Sequence, residues 1–326
     1  MRFPMKIAVF TKNRTNPAYT AARLGADRAA RVFGAQALHY VPETPDDVGE
    51  QISLIDQALA ARPDIVVLSP VHSTKVDEAI LRIHQAGIPM VGLVTPIERV
   101  PVVSFVNADD FSLGRAIAMR LFEHLGGRGD VLVVGGHEHS FTSQERLRGF
   151  RDAAASFRGV RLIGGIAGDY VREVARGRTA DWLANHPQPI DGCLVANDIM
   201  ALGVLEALRG AGRVATLVGV NAIPEAIGAI ARGEMLASAD FSAMRMAYLA
   251  AECAARHLRG ESVPRHIELP VQIVDRSNFA LWDRPYEERS CWTMEEALQE
   301  IRRTGTGKVD HIESTPPDGD RVGRGL

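Results

Sequence analysis

The sequence has only three cysteines, and their positions exclude the roles that cysteine clusters usually have. Cys193, Cys253 and Cys291 are odd in number, far apart in the chain and in no spacing typical of metal ligands. They therefore indicate neither a disulfide framework nor a cysteine-based zinc site. Buried or free thiols are expected at all three positions.

The chain also lacks an excess of basic residues and any long apolar run. Its net charge of −3 and pI of about 6.4 give no basic surface for nucleic acid or anionic lipid. No apolar run approaches the roughly 20 residues that a membrane-spanning helix needs. We expect a protein that binds no nucleic acid and does not cross a membrane.

A recognisable export signal is missing from the amino terminus. Residues 1–6 lead directly into an apolar strand pattern, without the charged region, apolar stretch and small-residue cleavage site of a signal peptide. The sequence is therefore expected to be that of a cytoplasmic protein, or of an exported one whose signal has been removed.

What the sequence does contain is an alternation of short apolar runs with longer amphipathic runs. Its 326 residues, 46% hydrophobic and 24% charged, suit a globular protein of two domains. Runs of Val, Ile and Leu joined by helical crossovers are typical of parallel sheets covered on both faces. The predicted strands are residues 6–11, 36–41, 64–69, 90–94, 102–106, 130–134, 160–166, 192–196, 216–220 and 236–239. The predicted helices are residues 18–33, 48–61, 74–86, 111–125, 142–157, 173–184, 200–210, 224–232 and 243–258.

About ten strands suit two sheets better than one. The predicted fold is therefore α/β, with two doubly wound parallel-sheet lobes. The chain should leave the first sheet near residues 107–110, return near residues 240–243 and cross again near Pro270. This predicts an amino-terminal lobe of residues 1–107 and 243–270, a carboxyl-terminal lobe of residues 108–242 and 271–290, and an extension of residues 291–326. Within the extension we expect a helix at residues 295–301, followed by a solvated tail rich in glycine and proline.

Polar residues are concentrated where the predicted strands end, the edge at which open parallel sheets bind ligands. They occupy residues 12–19, 69–72, 95–96, 135–141, 168–170, 197–198 and 221. Such residues suit a neutral polyhydroxy ligand, because amides bond adjacent hydroxyls in pairs and aromatic rings stack on the C–H face of a sugar. Turns and helix caps also favour Asn, Ser and Asp, so a structural role is the alternative for any one of them. Their recurrence at several strand ends favours a binding site.

The sequence contains no strong catalytic constellation. A Gly-x-Gly-x-x-Gly fingerprint for dinucleotides does not follow the first strand. The segment Gly135-Gly136-His137-Glu138-His139 could be a metal site, but zinc needs three or four ligands and no partner cluster is evident. Asp198 could be a catalytic acid, but its place between a strand and a helix favours an N-cap. We expect no enzymatic activity, no cofactor and no metal.

Six segments of the chain are informative through their order. They are Asn16-Pro17-Ala18-Tyr19, Ile88-Pro89-Met90-Val91, Asn107-Ala108-Asp109-Asp110 with Gly114, Gln144-Glu145-Arg146-Leu147-Arg148-Gly149-Phe150, Ala196-Asn197-Asp198-Ile199-Met200-Ala201-Leu202-Gly203, and Val218-Gly219-Val220-Asn221 with Pro224. In this order they resemble ribose-binding-protein-like solute-binding proteins of the periplasmic binding protein type I family, over about residues 5–280. The resemblance implies two lobes joined by a three-segment hinge and closure around a sugar or polyol. It also implies a periplasmic monomer that serves the permease and ATPase subunits of an ABC importer.

The resemblance also implies which residues contact the ligand. Five positions match the family closely: Asn16, Tyr19, Arg146, Tyr170 and Asn197. In that order they supply the first-loop amide, a stacking aromatic, a ligand-facing arginine, the aromatic of the second lobe and the amide before a helix. Four positions match less faithfully: Ser69, Thr95, Asn221 and Ser242. His137 is expected to donate to the ligand from its glycine-rich loop.

Three departures from the family pattern bear on the ligand. Val94-Thr95 stands where members that bind aldopyranoses or ribose have an Asp-Arg pair, and Asn221 stands in place of an aspartate. Ala18 replaces a second aromatic residue. Two carboxylates that accept hydroxyl protons are therefore missing, which favours a ligand that is smaller, acyclic or anionic.

The charge of the ligand depends on whether Arg146 has a counter-ion. An arginine without one favours a ligand carboxylate, whereas a neutralised arginine favours a sugar or polyol. The acids considered as partners are Asp109, Asp169 and Asp240. We expect a sugar or polyol, and a sugar acid is the alternative.

A regulator is the alternative from another functional class. The same two-lobed fold serves as the effector domain of sugar-responsive repressors, which carry a DNA-binding headpiece before the first strand. Only five residues precede Lys6, too few for a helix-turn-helix. A ligand-sensing effector domain, repressor-like or coupled to a membrane receptor, is therefore kept as the second hypothesis after transport.

Overall fold

The computed structural model describes residues 4–310, which form thirteen strands and ten α-helices. The strands are β1 (Met5–Phe10), β2 (Ala35–Tyr40), β3 (Ile65–Leu68), β4 (Met90–Leu93), β5 (Ser104–Ala108), β6 (Arg128–Gly135), β7 (Gly159–Ala167), β8 (Gly192–Val195), β9 (Thr216–Val220), β10 (Ala237–Asp240), β11 (His266–Leu269), β12 (Gln272–Asp275) and β13 (Lys308–Asp310). The helices are α1 (Pro17–Val32), α2 (Val48–Ala61), α3 (Asp77–Gln85), α4 (Asp110–His124), α5 (Phe141–Ala155), α6 (Arg172–Asn185), α7 (Asp198–Gly210), α8 (Pro224–Ala231), α9 (Ala243–Leu258) and α10 (Met294–Thr304).

The strands form two sheets, one in each lobe. The first has the order β13-β11-β5-β4-β3-β1-β2, and the second has the order β12-β10-β9-β8-β6-β7. Among the described strands, only the edge strands β12 and β13 pair in the antiparallel direction. Strands β3, β4 and β8 are buried along their whole length, which explains their uninterrupted apolar sequences. The predicted fold of two parallel-sheet α/β lobes is confirmed.

The chain crosses between the lobes four times within the described residues. The first crossing follows β5, because α4 packs on β9 and β10 of the second sheet. The second follows β10, because α9 packs on strands of the first sheet, and the third joins β11 to β12. These are the three predicted crossings. A fourth runs from β12 in the second sheet to β13 in the first.

The fourth crossing corrects part of the predicted tail. The helix expected at residues 295–301 is present as α10, and it begins with a capping box between Thr293 and Glu296. Residues 308–310 are not a solvated tail, because β13 pairs with β11 and lengthens the first sheet. The rest of the predicted tail, residues 311–326, lies outside the described residues. The lobe boundaries proposed from the sequence stay predictions.

Glycines allow two pairs of helices to pack backbone against backbone. A Cβ atom at Gly25 of α1 would lie 2.0 Å from the carbonyl oxygen of Met244 in α9. On α4 and α5, a Cβ at Gly114 would lie 2.4 Å from the oxygen of Arg146, and one at Gly149 would lie 2.3 Å from the oxygen of Phe111. The crossing of α4 and α5 therefore places Arg146 directly over the start of α4.

The cysteines are free thiols, as the sequence predicts. Cys193 and Cys253 are buried, and Cys291 is half-buried. Burial raises the pKa of the Cys193 and Cys253 thiols to about 12, so both are inert at neutral pH. Across residues 4–310, no helix combines the length and apolar character required to cross a membrane.

Candidate functional site

A narrow cleft lies between the carboxyl ends of the two sheets. It encloses about 320 Å³ of space between atoms, a figure that includes open solvent at its mouth. Its lining residues are Lys12, Asn13, Asn16, Tyr19, Asp46, Thr142, Arg146, Tyr170, Asn197, Asn221 and Phe241. Each lies after a strand or in the helix that follows one.

Arg146 is the central charged group of the cleft. It is 3% exposed, and its Nε donates to Asp110 Oδ1 at 2.7 Å. Its Nη1 donates to the carbonyl oxygen of Ala196 at 2.6 Å and lies 3.5 Å from Asn221 Oδ1. Within residues 4–310, Nη2 makes no hydrogen bond to protein. One edge of the guanidinium is therefore fixed by protein, and the other is available to a ligand.

Asp110 is the counter-ion, and the three acids considered from the sequence are not. Asp109 caps α4 by accepting from Phe111 and Ser112, and Asp169 pairs with Arg178 at 2.8 Å. Asp240 accepts from Ser242 and from the indole of Trp282. Asp110 was missed because it occupies the first turn of α4, where an acid usually serves the helix dipole.

The Asp110 carboxyl is itself incompletely bonded. The carboxylate is buried, and its Oδ2 atom has no hydrogen-bond partner among the described residues. Burial raises the pKa of Asp110, and the adjacent Arg146 guanidinium opposes that rise. An orphaned acceptor of this kind suits a donor from a bound water or ligand.

Asn197, like Arg146, has a side chain that is hydrogen-bonded to protein through one polar atom and has no protein partner at another. Its Oδ1 caps α7 by accepting from the Met200 N–H at 3.0 Å, while its Nδ2 is buried without a partner. Asn197, and not Asp198, is therefore the N-cap, which corrects the structural role assigned from the sequence. Asp198 is buried behind it and accepts from Ser238 and from the Ile223 N–H. Burial raises the pKa of Asp198 to about 6.

The first-lobe side of the cleft is organised by asparagines. Asn16 caps α1 by accepting from the Ala18 N–H, and Asn13 Oδ1 accepts from the Asn16 N–H. Tyr19 follows one turn later, 7% exposed, and contributes to the cavity lining. Burial raises the pKa of the Tyr19 phenol well above its usual value, so the hydroxyl stays protonated.

The second-lobe side is aromatic. Tyr170 has a left-handed backbone with φ of 60°, and its hydroxyl lies 2.8 Å from Thr142 Oγ1. Its ring covers Gly136 so closely that a Cβ there would lie 2.2 Å from it. Phe241 adds a second ring, whose centroid lies 4.9 Å from the Arg146 guanidinium carbon. Two rings beside hydrogen-bonding groups are the combination that sugar C–H faces require.

Four of the ten residues predicted to contact the ligand do not line this cavity: Ser69, Thr95, His137 and Ser242. Ser69 and Thr95 lie at the ends of the neighbouring strands β3 and β4, and both hydroxyls are buried without a partner. Ser242 donates its hydroxyl to Asp240 at 3.0 Å and lies in a separate groove with Trp282. The other six predicted residues meet in the cavity.

His137 lies at the mouth of the cleft in a cluster of three histidines. His72 comes from the first lobe, and its ring centroid lies 5.9 Å from that of His139 in the second lobe. The His137 and His139 centroids are also 5.9 Å apart. The lobes are therefore in contact here, and the cleft is shut.

These histidines are hydrogen-bonded in a way that opposes metal binding. Nδ1 of His72 accepts from the N–H groups of Thr74 and Lys75, at 3.1 and 3.2 Å. Nδ1 of His137 accepts from the His139 N–H at 3.3 Å. The proton of each neutral ring therefore sits on Nε2, which leaves that nitrogen a donor and not a metal ligand. No group of three potential ligands in residues 4–310 has the arrangement of a metal site.

Ligand affinity is expected to fall as the pH drops below 6.5, the usual pKa of histidine. Burial lowers the pKa of His72, the positive charges of Lys75 and the two other histidines add to this, and Asp77 opposes it. The neutral ring is thus favoured in the shut cleft, and protons bind better once the lobes separate. Closure is stabilised above pH 6.5 and loses that stabilisation as the pH falls.

Calorimetric titrations at about pH 7.5 and about pH 5.5 measure this loss of affinity on either side of the histidine pKa. His72→Gln should flatten the pH dependence, because glutamine keeps an acceptor but cannot gain a proton. His84→Gln, which removes an exposed histidine of α3, should behave like the wild type. An unchanged pH dependence in His72→Gln would exclude His72 as its source.

Five cavity residues were not predicted as ligand contacts: Lys12, Asn13, Asp46, Thr142 and Phe241. Lys12 lies in the polar segment after β1, where Asn16 and Tyr19 were predicted to contact the ligand but Lys12 was not. Asp46 lies in the loop before α2, where the sequence reads as an ordinary turn. The signal that would have found Lys12 is a lysine directly after a buried strand, since burial of an unpaired ammonium is unfavourable without a function.

Comparisons with known proteins give a consistent result. The family described as "Periplasmic binding protein domain" matches residues 7–262. A xylitol-binding protein from Mycolicibacterium smegmatis is 24% identical over 192 residues, which cover 59% of this chain and 55% of that protein. A ribose import binding protein from Bacillus subtilis is 23% identical over 271 residues, which cover 83% of this chain and 87% of that protein.

A solved structure is also similar along most of its length. It is an ABC transporter solute-binding protein from Mycobacterium smegmatis with bound glycerol, 27% identical, with a TM-score of 0.80. The match covers 87% of this chain and 98% of that one. The alignment with the xylitol-binding protein spans about half of that protein, whereas the structural match spans nearly all of the glycerol-bound protein.

Proposed function

This chain belongs to the periplasmic binding protein family, as its sequence resemblance predicted, and on that premise we propose that it binds a small neutral sugar or polyol between its lobes. Members of the family are non-enzymatic solute-binding proteins, so the prediction that the chain is not an enzyme is confirmed. The finer assignment is our proposal. In it, the loaded protein delivers its ligand in the periplasm to the permease and ATPase of an ABC importer.

The observation that carries this proposal is the ion pair between Arg146 and Asp110. Because Asp110 neutralises the arginine at 2.7 Å, the exposed edge of the guanidinium suits a hydroxyl or ring oxygen and needs no ligand carboxylate. Asn197, which lines the cavity, adds its partner-free Nδ2 atom as a donor. A polyol hydroxyl can accept from it, since each hydroxyl donates once and accepts twice.

In the proposed mechanism, the two lobes close around the ligand and no bond of the ligand is formed or broken. Each lobe supplies part of the polar lining, so the ligand makes its full set of contacts only when the cleft is shut. That difference in affinity shifts the equilibrium between open and closed forms. The acyclic and small-ring ligands of the similar proteins support xylitol, D-ribose and glycerol as the first candidates.

We expect at least one of xylitol, D-ribose or glycerol to raise the thermal unfolding midpoint. A ligand at 100 times its Kd adds about 2.7 kcal/mol to the free energy of unfolding. Small-angle scattering with the same ligand should show a smaller radius of gyration than without it. Failure of the whole panel, or tight binding with identical scattering curves, would contradict a sugar-binding protein that closes on its ligand.

A further inference from the structure

Lys12 and Asp46 form a second charged pair in the cleft, separate from Arg146 and Asp110. Lys12 is only 2% exposed and contributes to the cavity lining. Its ammonium makes no hydrogen bond within residues 4–310, and no carboxylate oxygen there lies within 4.0 Å of it. A buried ammonium without a partner costs several kcal/mol in general, so its retention points to a partner supplied by a ligand.

The loop before α2 holds Asp46 in its position at the cleft. Its backbone is left-handed, with φ of 58°, which costs about 1–3 kcal/mol for a residue other than glycine. The Asp46 N–H donates to the carbonyl oxygen of Lys12 at 3.1 Å, so the two residues are fixed relative to each other. One carboxylate oxygen accepts from Asn13 Nδ2 at 3.2 Å, and the other makes no side-chain hydrogen bond within the described residues.

Lys12 and Asp46 each favour the charged form of the other across the cavity. Burial lowers the pKa of the Lys12 ammonium, and Asp46 opposes this. Burial raises the pKa of the Asp46 carboxyl, and Lys12 opposes that. Two opposite charges that face one cavity without touching leave room between them for a group that both donates and accepts.

We propose that Lys12 and Asp46 bind two adjacent hydroxyls of the ligand and select neutral polyols against sugar acids. The ammonium donates to the oxygen of one hydroxyl, and the carboxylate accepts the proton of the next. The four charges then cancel in two pairs, so a ligand carboxylate that approached Lys12 would also meet Asp46. This inference rests on the proposed function, because it names the ligand class of the same site.

The test compares each neutral probe with its acid in calorimetric titrations: xylitol with xylonate, and D-ribose with D-ribonate. Wild type should prefer the neutral member of the pair that it binds. Lys12→Met and Asp46→Asn should each weaken binding of the neutral probe by about 10- to 100-fold, the range for hydrogen bonds from charged groups. Asp46→Asn should also shift the ratio of the two affinities toward the acid by about tenfold or more, because Lys12 loses its opposing charge.

Two exposed substitutions serve as matched controls. Lys308→Met removes a lysine that is 61% exposed, and Glu43→Gln neutralises a carboxylate of the Asp46 loop that is 78% exposed. Both should bind the probes as the wild type does. Thermal unfolding without ligand checks the fold, and the double variant of Lys12→Met with Asp46→Asn should unfold no lower than wild type, because both charges are then gone.

The outcomes separate this inference from the proposed function. If the wild type binds a neutral probe, and folded Lys12→Met and Asp46→Asn bind it equally well, the inference is overturned and the proposed function stands. Wild type that prefers the acid, or an Asp46→Asn variant with an unchanged ratio, also overturns it. Wild type that binds no probe of either kind removes the proposed function and the inference together.

Discussion

Arg146→Met is expected to abolish detectable ligand binding and to lower the free energy of unfolding by about 3–5 kcal/mol, the cost of breaking a buried ion pair. The loss of stability follows because Asp110, whose side chain is 1% exposed, would remain buried without its counter-ion. The loss of binding follows because the free edge of the guanidinium faces the cavity. Urea denaturation and calorimetric titration measure the two effects separately.

Two companion variants assign these effects to the ion pair. Arg146→Met combined with Asp110→Asn should recover most of the stability, because neither charge then remains, but it should not recover binding. Arg148→Met breaks an exposed pair with Glu145 and should cost at most about 1 kcal/mol. If Arg146→Met unfolds like the wild type, the buried pairing described above is wrong.

Gly114→Ala is expected to cost about 1–3 kcal/mol or more of stability, the range for overpacked interiors, and to weaken ligand binding. The new methyl group would lie 2.4 Å from the carbonyl oxygen and 2.8 Å from the Cα of Arg146. Because both atoms belong to the backbone of α5, neither can move aside as a side chain can. The two helices must separate, and Arg146 must shift relative to Asp110.

A second helical glycine provides the control for this substitution. A Cβ at Gly177 of α6 would have no atom within 4 Å, and the residue is exposed. Gly177→Ala should therefore stabilise the protein by about 0.5–1 kcal/mol through the helix preference of alanine. Chemical denaturation of both variants measures the contrast. Equal stabilities would show that α4 and α5 are not in backbone contact.

The parts of the fold that depend on local pattern could be predicted from the sequence. Strands β1–β10 lie within two residues of the predicted runs, because buried parallel strands need nearly continuous apolar residues. The strands that were missed, β11, β12 and β13, are edge or near-edge strands of four residues or fewer, such as Lys308-Val309-Asp310. A run that short carries too few apolar residues to register as a pattern.

The candidate site likewise contains residues that could be predicted from the sequence and contacts that could not. Asn16 and Asn197 could be predicted as cavity residues from the family resemblance, and each caps a helix directly after a buried strand. The partnership of Arg146 with Asp110 could not, since it depends on how closely α4 and α5 approach at Gly114 and Gly149. That approach is a long-range property of packing and leaves no local periodicity in the chain. Where Ser69 and Thr95 face, relative to a ligand, stays a prediction.

The fourth crossing between the lobes is held at both ends. Arg28 of α1 donates to the carbonyl oxygens of Tyr286 and Arg289, which fixes this segment to the first lobe. Arg289 in turn donates to the carbonyl oxygen of Ala222, and Trp282 donates to Asp240, both in the second lobe.

This fourth connection restricts the orientations that the open protein can reach. A pair of lobes joined at three places can swing and twist, whereas a further tether to both lobes removes part of that freedom before any ligand arrives. Less orientational entropy is then lost on closing, and more of the contact energy appears as affinity. We expect the segment after β12 to preorganise the two lobes, so that cutting it should weaken ligand binding although it contains none of the residues that line the cavity.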